Sequence, residues 1–193
     1  MSDRLGDWLH ALVETPGLTA LDDEEEARAM LVDDALRAVE IVRDLDGPIV
    51  DVGSGGGSPG IPLALALPDR DVTLLEASRR KCDFLERWAP ENARVVWGRA
   101  EDQELDAYGV ALAKALAQPP VAAELCLTLV RPGGAAVLWV GPSVDLSVVA
   151  RVSSLLGGDV PEHRDGLVVI RKLAPTPAGF PRRAGMPKKR PLG

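Results

Sequence analysis

Pro48-Ile49-Val50-Asp51-Val52-Gly53-Ser54-Gly55-Gly56-Gly57-Ser58-Pro59-Gly60-Ile61 decides the fold of this chain. An apolar run meets an acid and then a loop of glycines, and Pro59 opens a second apolar segment that reaches Leu67. Proline suits the first turn of a helix, where its missing N–H costs nothing. The order is strand, glycine loop, helix. Glycines let a ligand approach bare backbone, and the N-terminus of the following helix offers N–H groups without intrahelical partners. The stretch predicts the floor of a nucleotide-type pocket, against the plainer reading of a structural turn.

Gly55-Gly56-Gly57-Ser58-Pro59-Gly60 fits the dinucleotide pattern G-x-G-x-x-G, a weak signal in a chain with 19 glycines. The register D-x-G-x-G-x-G from Asp51 says more, because it puts an acid on the strand itself and predicts a cation beside it. A dinucleotide pyrophosphate wants donors there instead. S-adenosylmethionine has no phosphate but carries an α-ammonium and a sulfonium, so Asp51 points to that methyl donor. A second apolar run, Val72 to Leu75, ends in Glu76, 23 positions after Gly53. In doubly wound nucleotide folds an acid about 20 residues beyond the glycines takes the ribose hydroxyls. Glu76 is the candidate for that role, or else a solvated charge at a strand end.

The 193 residues support one α/β domain with a substantial core. No apolar run approaches the roughly 20 residues that span a bilayer, and Met1-Ser2-Asp3-Arg4 does not open a signal peptide. The expected setting is cytoplasmic, with no membrane contact. Cys82 and Cys126 are expected to be buried free thiols. His10 and His163 show no ligand spacing with them, so no metal site is expected. Charge is uneven: residues 171–193 carry seven bases and no acid, leaving 15 bases against 29 acids in the rest, a net of −14. An acidic body disfavours broad nucleic-acid affinity, whereas the basic tail can make local phosphate contacts or be a solvated segment.

Outside the glycine loop, a short helix with Trp8, Leu9, Leu12 and Val13 precedes a turn at Pro16-Gly17. The run from Asp22 to Leu45 has Leu31, Val32, Ala35, Val39 and Val42 at near-helical spacing and predicts one helix ended by Asp46-Gly47-Pro48. Strands are predicted at 49–52, 72–76, 94–98, 109–114, 135–140 and 167–173, with helices at 59–67, 78–88, 119–130 and 144–156. In the second of these helices Ser78 is the predicted N-cap, and Cys82, Phe84, Leu85 and Trp88 share a buried face. Arg131-Pro132-Gly133-Gly134 reads as a tight break before the fifth strand. This alternation predicts an α/β, doubly wound, mostly parallel Rossmann-like sheet with helices on both faces. Residues 1–46 form a helical extension, 47–173 the core and 174–193 a basic Pro/Gly-rich tail that drapes over the domain.

With these residues in view, the chain resembles the glucose-inhibited division B family, class I S-adenosylmethionine-dependent methyltransferases that methylate N7 of a guanine in small-subunit (16S) ribosomal RNA. The likeness rests on Asp51 to Leu63, on Leu74-Leu75-Glu76 with Arg79-Arg80-Lys81 and Phe84-Leu85, and on Gly98-Arg99-Ala100-Glu101. Ala113-Lys114-Ala115 and the ending Phe180 to Leu192 complete it. The resemblance implies a donor lying across Gly53 and Ser58, over Gly55 and Gly57. Glu76, Ala77 and Ser78 would then surround the ribose, Ala100 and Glu101 the adenine, and Lys114 the donor's carboxylate. Glu101 also reads as an ordinary acid at a helix start. The implied partner is ribosomal RNA or the small ribosomal subunit, met by a monomer.

Where members of the family usually carry arginine, this chain has Lys114, and Val140 stands where a lysine is usual. Guanine N7 has an in-plane lone pair and no proton to lose, so no general base is expected and no catalytic residue is assigned; alignment and desolvation provide the acceleration. Lys114, Gln118, Pro119 and Pro142 are expected to wall the acceptor pocket. Arg99, Arg182, Arg183, Lys188, Lys189 and Arg190 are expected on RNA phosphates, so that truncation at Ala174 would cut RNA binding and spare the donor. Alternatives are a relative with a changed acceptor (a small molecule or protein) and a non-catalytic donor-binding module. A nicotinamide dehydrogenase is more distant, since Asp51 is unhelpful there and Tyr108 lies in no Tyr-x-x-x-Lys pairing.

Overall fold

The computed structural model describes residues 3–192. Strands β1 (Ile49–Val52), β2 (Val72–Glu76), β3 (Ala93–Trp97), β4 (Tyr108–Ala113), β5 (Val130–Trp139), β6 (Glu162–Arg164) and β7 (Leu167–Arg171) form one sheet in the order β3-β2-β1-β4-β5-β7-β6. Pairings among β1 to β5 are parallel, and β7 runs antiparallel to β5 and β6. The doubly wound prediction is thus met. Side-chain alternation divides the core. Ile49, Leu74, Leu112, Val137 and Val169 face one layer, while Val50, Leu75, Ala111, Leu138 and Val168 face the other.

The first layer holds α1 (Arg4–Glu14), the helical run 24–43, α5 (Gly60–Ala66) and α6 (Arg79–Trp88). The second holds α7 (Pro119–Leu127) and α8 (Leu146–Leu155), with Phe180 and Leu192 of the tail packed against them. Among the described residues no helix is long and apolar enough to cross a membrane.

The single helix predicted over 22–45 is instead broken into α2 (Glu24–Ala27), a π-helical stretch (Arg28–Asp33), α3 (Asp34–Leu36) and α4 (Val39–Arg43). The cause is tertiary. The hydroxyl of Ser58 donates to Leu31 O at 2.7 Å, Lys114 Nζ donates to Met30 O, and Trp139 Nε1 donates to Asp34 O at 3.1 Å. Carbonyls turned outward to those donors favour the wider turn. Ser78 is the N-cap residue of α6, as predicted, though its side chain makes no cap bond. Strand β5 starts at Val130, five residues before the predicted start. Val130 pairs with Tyr108, and Gly133 and Gly134 exchange backbone bonds with Lys172, so sheet pairing overrides the local breakers. The hairpin strand β6 was not predicted; all of its residues are exposed, so no apolar alternation marks it.

Candidate active site

The strand order reverses between β1 and β4, the switch point at which open α/β sheets bind ligands beyond the carboxyl ends of their strands. A cavity of about 620 Å³ lies there. Val52 and Gly53 from the end of β1, Leu75, Glu76 and Ala77 from β2, and Gly98 to Glu101 after β3 form one side. Leu116, Val121 and Leu125 supply an apolar wall opposite.

Glu76 is the best-prepared group in it. The side chain is 8% exposed, one carboxylate oxygen accepts from Gly55 N at 2.9 Å, and the other accepts from Ser78 N at 2.7 Å. Each oxygen keeps lone-pair capacity beyond those bonds, so two backbone donors aim an acceptor pair at the cavity. Ribose hydroxyls are the donors that fit it. Glu101 accepts from Gly185 N at 2.7 Å and lines the same cavity beside the buried Ala100. A nucleoside with vicinal hydroxyls and a base laid on the apolar wall matches this part of the lining.

Of the residues assigned to the donor, Gly53, Glu76, Ala77, Ala100 and Glu101 meet at the cavity. The others lie elsewhere. Asp51 is 1% exposed and accepts from Gly60 N at 3.0 Å, beneath the start of α5. Burial is the first cause of a carboxyl pKa raised to about 7, only partly offset by the Gly60 bond. Asp51 thus fastens the loop to the strand rather than facing a cation in the cavity. Gly55 serves through its N–H to Glu76, and Ser78 likewise through its backbone. Gly57 packs near Trp8, whose indole N–H donates to Gly56 O at 2.9 Å, and Ser58 is turned to Leu31. The N-terminal helices therefore cover the outer side of the glycine loop.

Lys114 does not stand free for a donor carboxylate or an acceptor. Its ammonium pairs with Asp34 Oδ2 at 3.0 Å and bonds Met30 O. A second cavity of about 400 Å³ joins Gln118 and Pro119 to the loop after β5, with Gly141, Ser143 and Asp145. It brings together two of the four expected acceptor-wall residues and is flanked by Pro142; Lys114 is not among its lining. Both thiols are buried, and burial raises the pKa of Cys82 and of Cys126, which keeps them protonated at neutral pH and unsuited as nucleophiles.

The basic tail departs most from expectation. Gly185, Pro187, Lys188 and Lys189 line the 620 Å³ cavity, the last two within α9 (Met186–Lys189). Arg182 Nε donates to Glu124 Oε1 at 2.6 Å and its Nη1 to Arg190 O at 2.7 Å. Glu124 is 1% exposed, so Arg182 is the counter-ion of a buried carboxylate rather than a phosphate contact. Lys172 is likewise buried, donating to Leu127 O at 2.6 Å and to Thr176 Oγ1 at 2.9 Å. Arg99, Arg183, Lys188, Lys189 and Arg190 remain exposed. The tail thus shares a cavity with Glu76 and Glu101 rather than lying apart from the residues assigned to the donor. Lys81 and Leu116 follow Glu76 and Lys114 closely but stand in no motif that marks them, and the tail wall comes from a distant segment with no local spacing to announce it.

Comparison with known proteins agrees with this geometry. A family model described as rRNA small subunit methyltransferase G matches residues 3–151. Proteins named Ribosomal RNA small subunit methyltransferase G from Symbiobacterium thermophilum and Rubrobacter xylanophilus are 36% and 38% identical, over 93% and 92% of this chain and 84% and 74% of theirs. Among solved structures, a SAM-dependent O-methyltransferase from Thermotoga maritima superposes with a TM-score of 0.60 at 14% identity, covering 74% of this chain and 65% of that one. An O-methyltransferase from neocarzinostatin biosynthesis, in complex with S-adenosylmethionine, gives 0.53 at 20% identity over 78% and 58% of the two chains. At such identities the structures speak to the fold alone, whereas the sequence matches extend over most of the molecule. By them, this chain belongs to the GidB family, the family of rRNA small subunit methyltransferase G.

Proposed function

We propose that this protein transfers the methyl group of S-adenosylmethionine to N7 of a guanine in small-subunit ribosomal RNA. The observation that carries the donor half is the Glu76 carboxylate, held by Gly55 and Ser78 at the β1–β4 switch point and aimed into the 620 Å³ cavity. Glu76 would hold the ribose, Ala100 and Glu101 the adenine edge, and Gly53 would lie under the methionine portion. When bound, S-adenosylmethionine supplies an electrophilic methyl group on its sulfonium.

The chain's own part is placement. Gln118, Pro119 and the loop Gly141–Asp145 form the acceptor pocket, next to the end of β4. The Asp145 carboxylate is fixed there by bonds from Ser147 N at 2.9 Å and Ser147 Oγ at 2.7 Å. A guanine seated there presents N7, which needs no base to deprotonate it, so exclusion of water and in-line alignment are what the pocket must provide. A changed acceptor is the second reading, favoured by Lys114 being engaged with Asp34 and Met30 O.

Purified protein with methyl-labelled S-adenosylmethionine, offered unmodified small subunits, naked ribosomal RNA and an RNA-free extract in parallel, decides between them. Label on a guanine N7 of subunit or RNA is the expected result. Label confined to the extract would transfer the donor pocket to another acceptor.

A further inference from the structure

Four cations converge on the rim of the donor cavity from three separate segments: Lys81 of α6, Arg99 after β3, and Lys188 and Lys189 of the tail. None has an ion-pair partner among the described residues, although the chain as a whole carries a net charge of −7. By contrast Arg182 in the tail and Lys172 just before it are each matched to a carboxylate. The two carboxylates of the cavity, Glu76 and Glu101, are bonded to backbone N–H groups and form no ion pair with the four, so the gathered like charges repel one another and a polyanion relieves that repulsion. The donor offers one carboxylate and no phosphate, so it can engage one of the four cations and leaves the others without an anion. The rim continues past the cavity to Trp97, which is 61% exposed. Its indole N–H donates to Ala77 O at 3.0 Å, and the Arg79 guanidinium lies 5.4 Å from its ring centroid. Cations beside an exposed indole are the composition of a single-strand nucleic-acid track, with phosphates on the charges and a base on the ring.

We propose that Lys81, Arg99, Lys188 and Lys189 are a phosphate-binding rim for an unpaired stretch of the RNA substrate, with Trp97 as its stacking face. We propose further that this rim is coupled to the donor, because the tail segment Gly185–Lys189 belongs to both. Gly185 is bonded to Glu101 inside the cavity, while Lys188 and Lys189 carry their charges at its edge. A bound donor and a bound RNA strand therefore stabilise one tail position, and each raises affinity for the other. The inference rests on the RNA reading above.

The test uses the full chain and an unstructured oligoribonucleotide of mixed sequence, with unmodified ribosomal RNA as the methylation substrate. The fourfold variant K81Q/R99Q/K188Q/K189Q should lose at least about tenfold in RNA affinity at low salt. The slope of log K against log salt should become shallower by about 2 to 3, since each lost single-strand phosphate contact removes about 0.7. K188R/K189R should keep both. In the wild type, RNA should tighten binding of S-adenosylhomocysteine, and the fourfold variant should lose that coupling. If the fourfold variant does not fold, K81Q/R99Q and K188Q/K189Q should each show part of the loss. Wild-type methylation of RNA together with unchanged affinity and salt slope in the variants would overturn the rim alone. Absence of RNA methylation by the wild type would overturn the RNA reading and the rim with it.

Discussion

Gly53 and Asp51 show how little room the glycine loop leaves. Gly53 has φ of +73°, and a Cβ there would stand 2.4 Å from Leu116 Cδ1 across the cavity. Gly53→Ala should therefore cost about 1–2 kcal/mol in backbone strain and weaken S-adenosylhomocysteine binding, read by calorimetric titration beside a urea melt; unchanged donor affinity would remove Gly53 from the cavity floor. Asp51 predicts a pH effect. Its folded pKa of about 7 lies above the ordinary carboxyl value of 3.8, so between those pH values the folded state holds a proton that the unfolded chain has lost. The contribution of Asp51 is then greatest below about pH 4, declines as pH rises toward 7 and is constant beyond. Asp51→Asn keeps an acceptor for Gly60 N–H and has no proton to lose. The variant should show a flatter loss of stability between pH 5 and 8 than the wild type, by urea midpoints at both values.

At the scale of elements, the tail is held by a charge pair that the core needs. Glu124 on α7 is buried, and Arg182 is its counter-ion with side-chain exposure of 19%. Arg182→Ala leaves a carboxylate buried without its partner, a loss of about 3–5 kcal/mol. The double variant E124Q/R182M should regain much of it, and urea unfolding of the three proteins is the check. Such elements also mark what the sequence could and could not say. Strands β1 and β2 were legible to the residue, because continuous apolar runs between glycine or charged breaks have few other readings. Glu76 was legible for the same reason, as an acid closing such a run. The break of the N-terminal helix was not, since Ser58, Lys114 and Trp139 reach it from 27, 84 and 105 positions away. Nor was the role of Arg182. A run of bases without acids looks solvated until α7 presents a buried glutamate to it.

For the whole molecule, the division into an extension of 1–46, a core of 47–173 and a tail of 174–193 fits the sequence better than the packing. Trp8, Leu12, Val32 and Val42 share one apolar layer with Ile49, Ile61 and Leu74, and Trp8 and Ser58 tie the N-terminal helices to the glycine loop. On the other face Phe180 and Leu192 pack against the layer containing Leu127 and Ile170. Removing both ends would uncover apolar surface on each face of the sheet, since α5 to α8 cover only part of it. A 47–173 fragment is therefore predicted to keep secondary structure while losing fixed packing, with far-UV dichroism retained, near-UV dichroism lost and a hydrophobic dye bound. Deleting 174–193 alone should be milder for stability because the N-terminal layer stays covered, yet it should still weaken donor binding through loss of the wall at Gly185 and Pro187. A 47–173 fragment with a cooperative melt and full donor affinity would show that the ends are appendages. The order of effects follows from which layer each end covers, and titration with S-adenosylhomocysteine of the full chain and both shortened forms measures it.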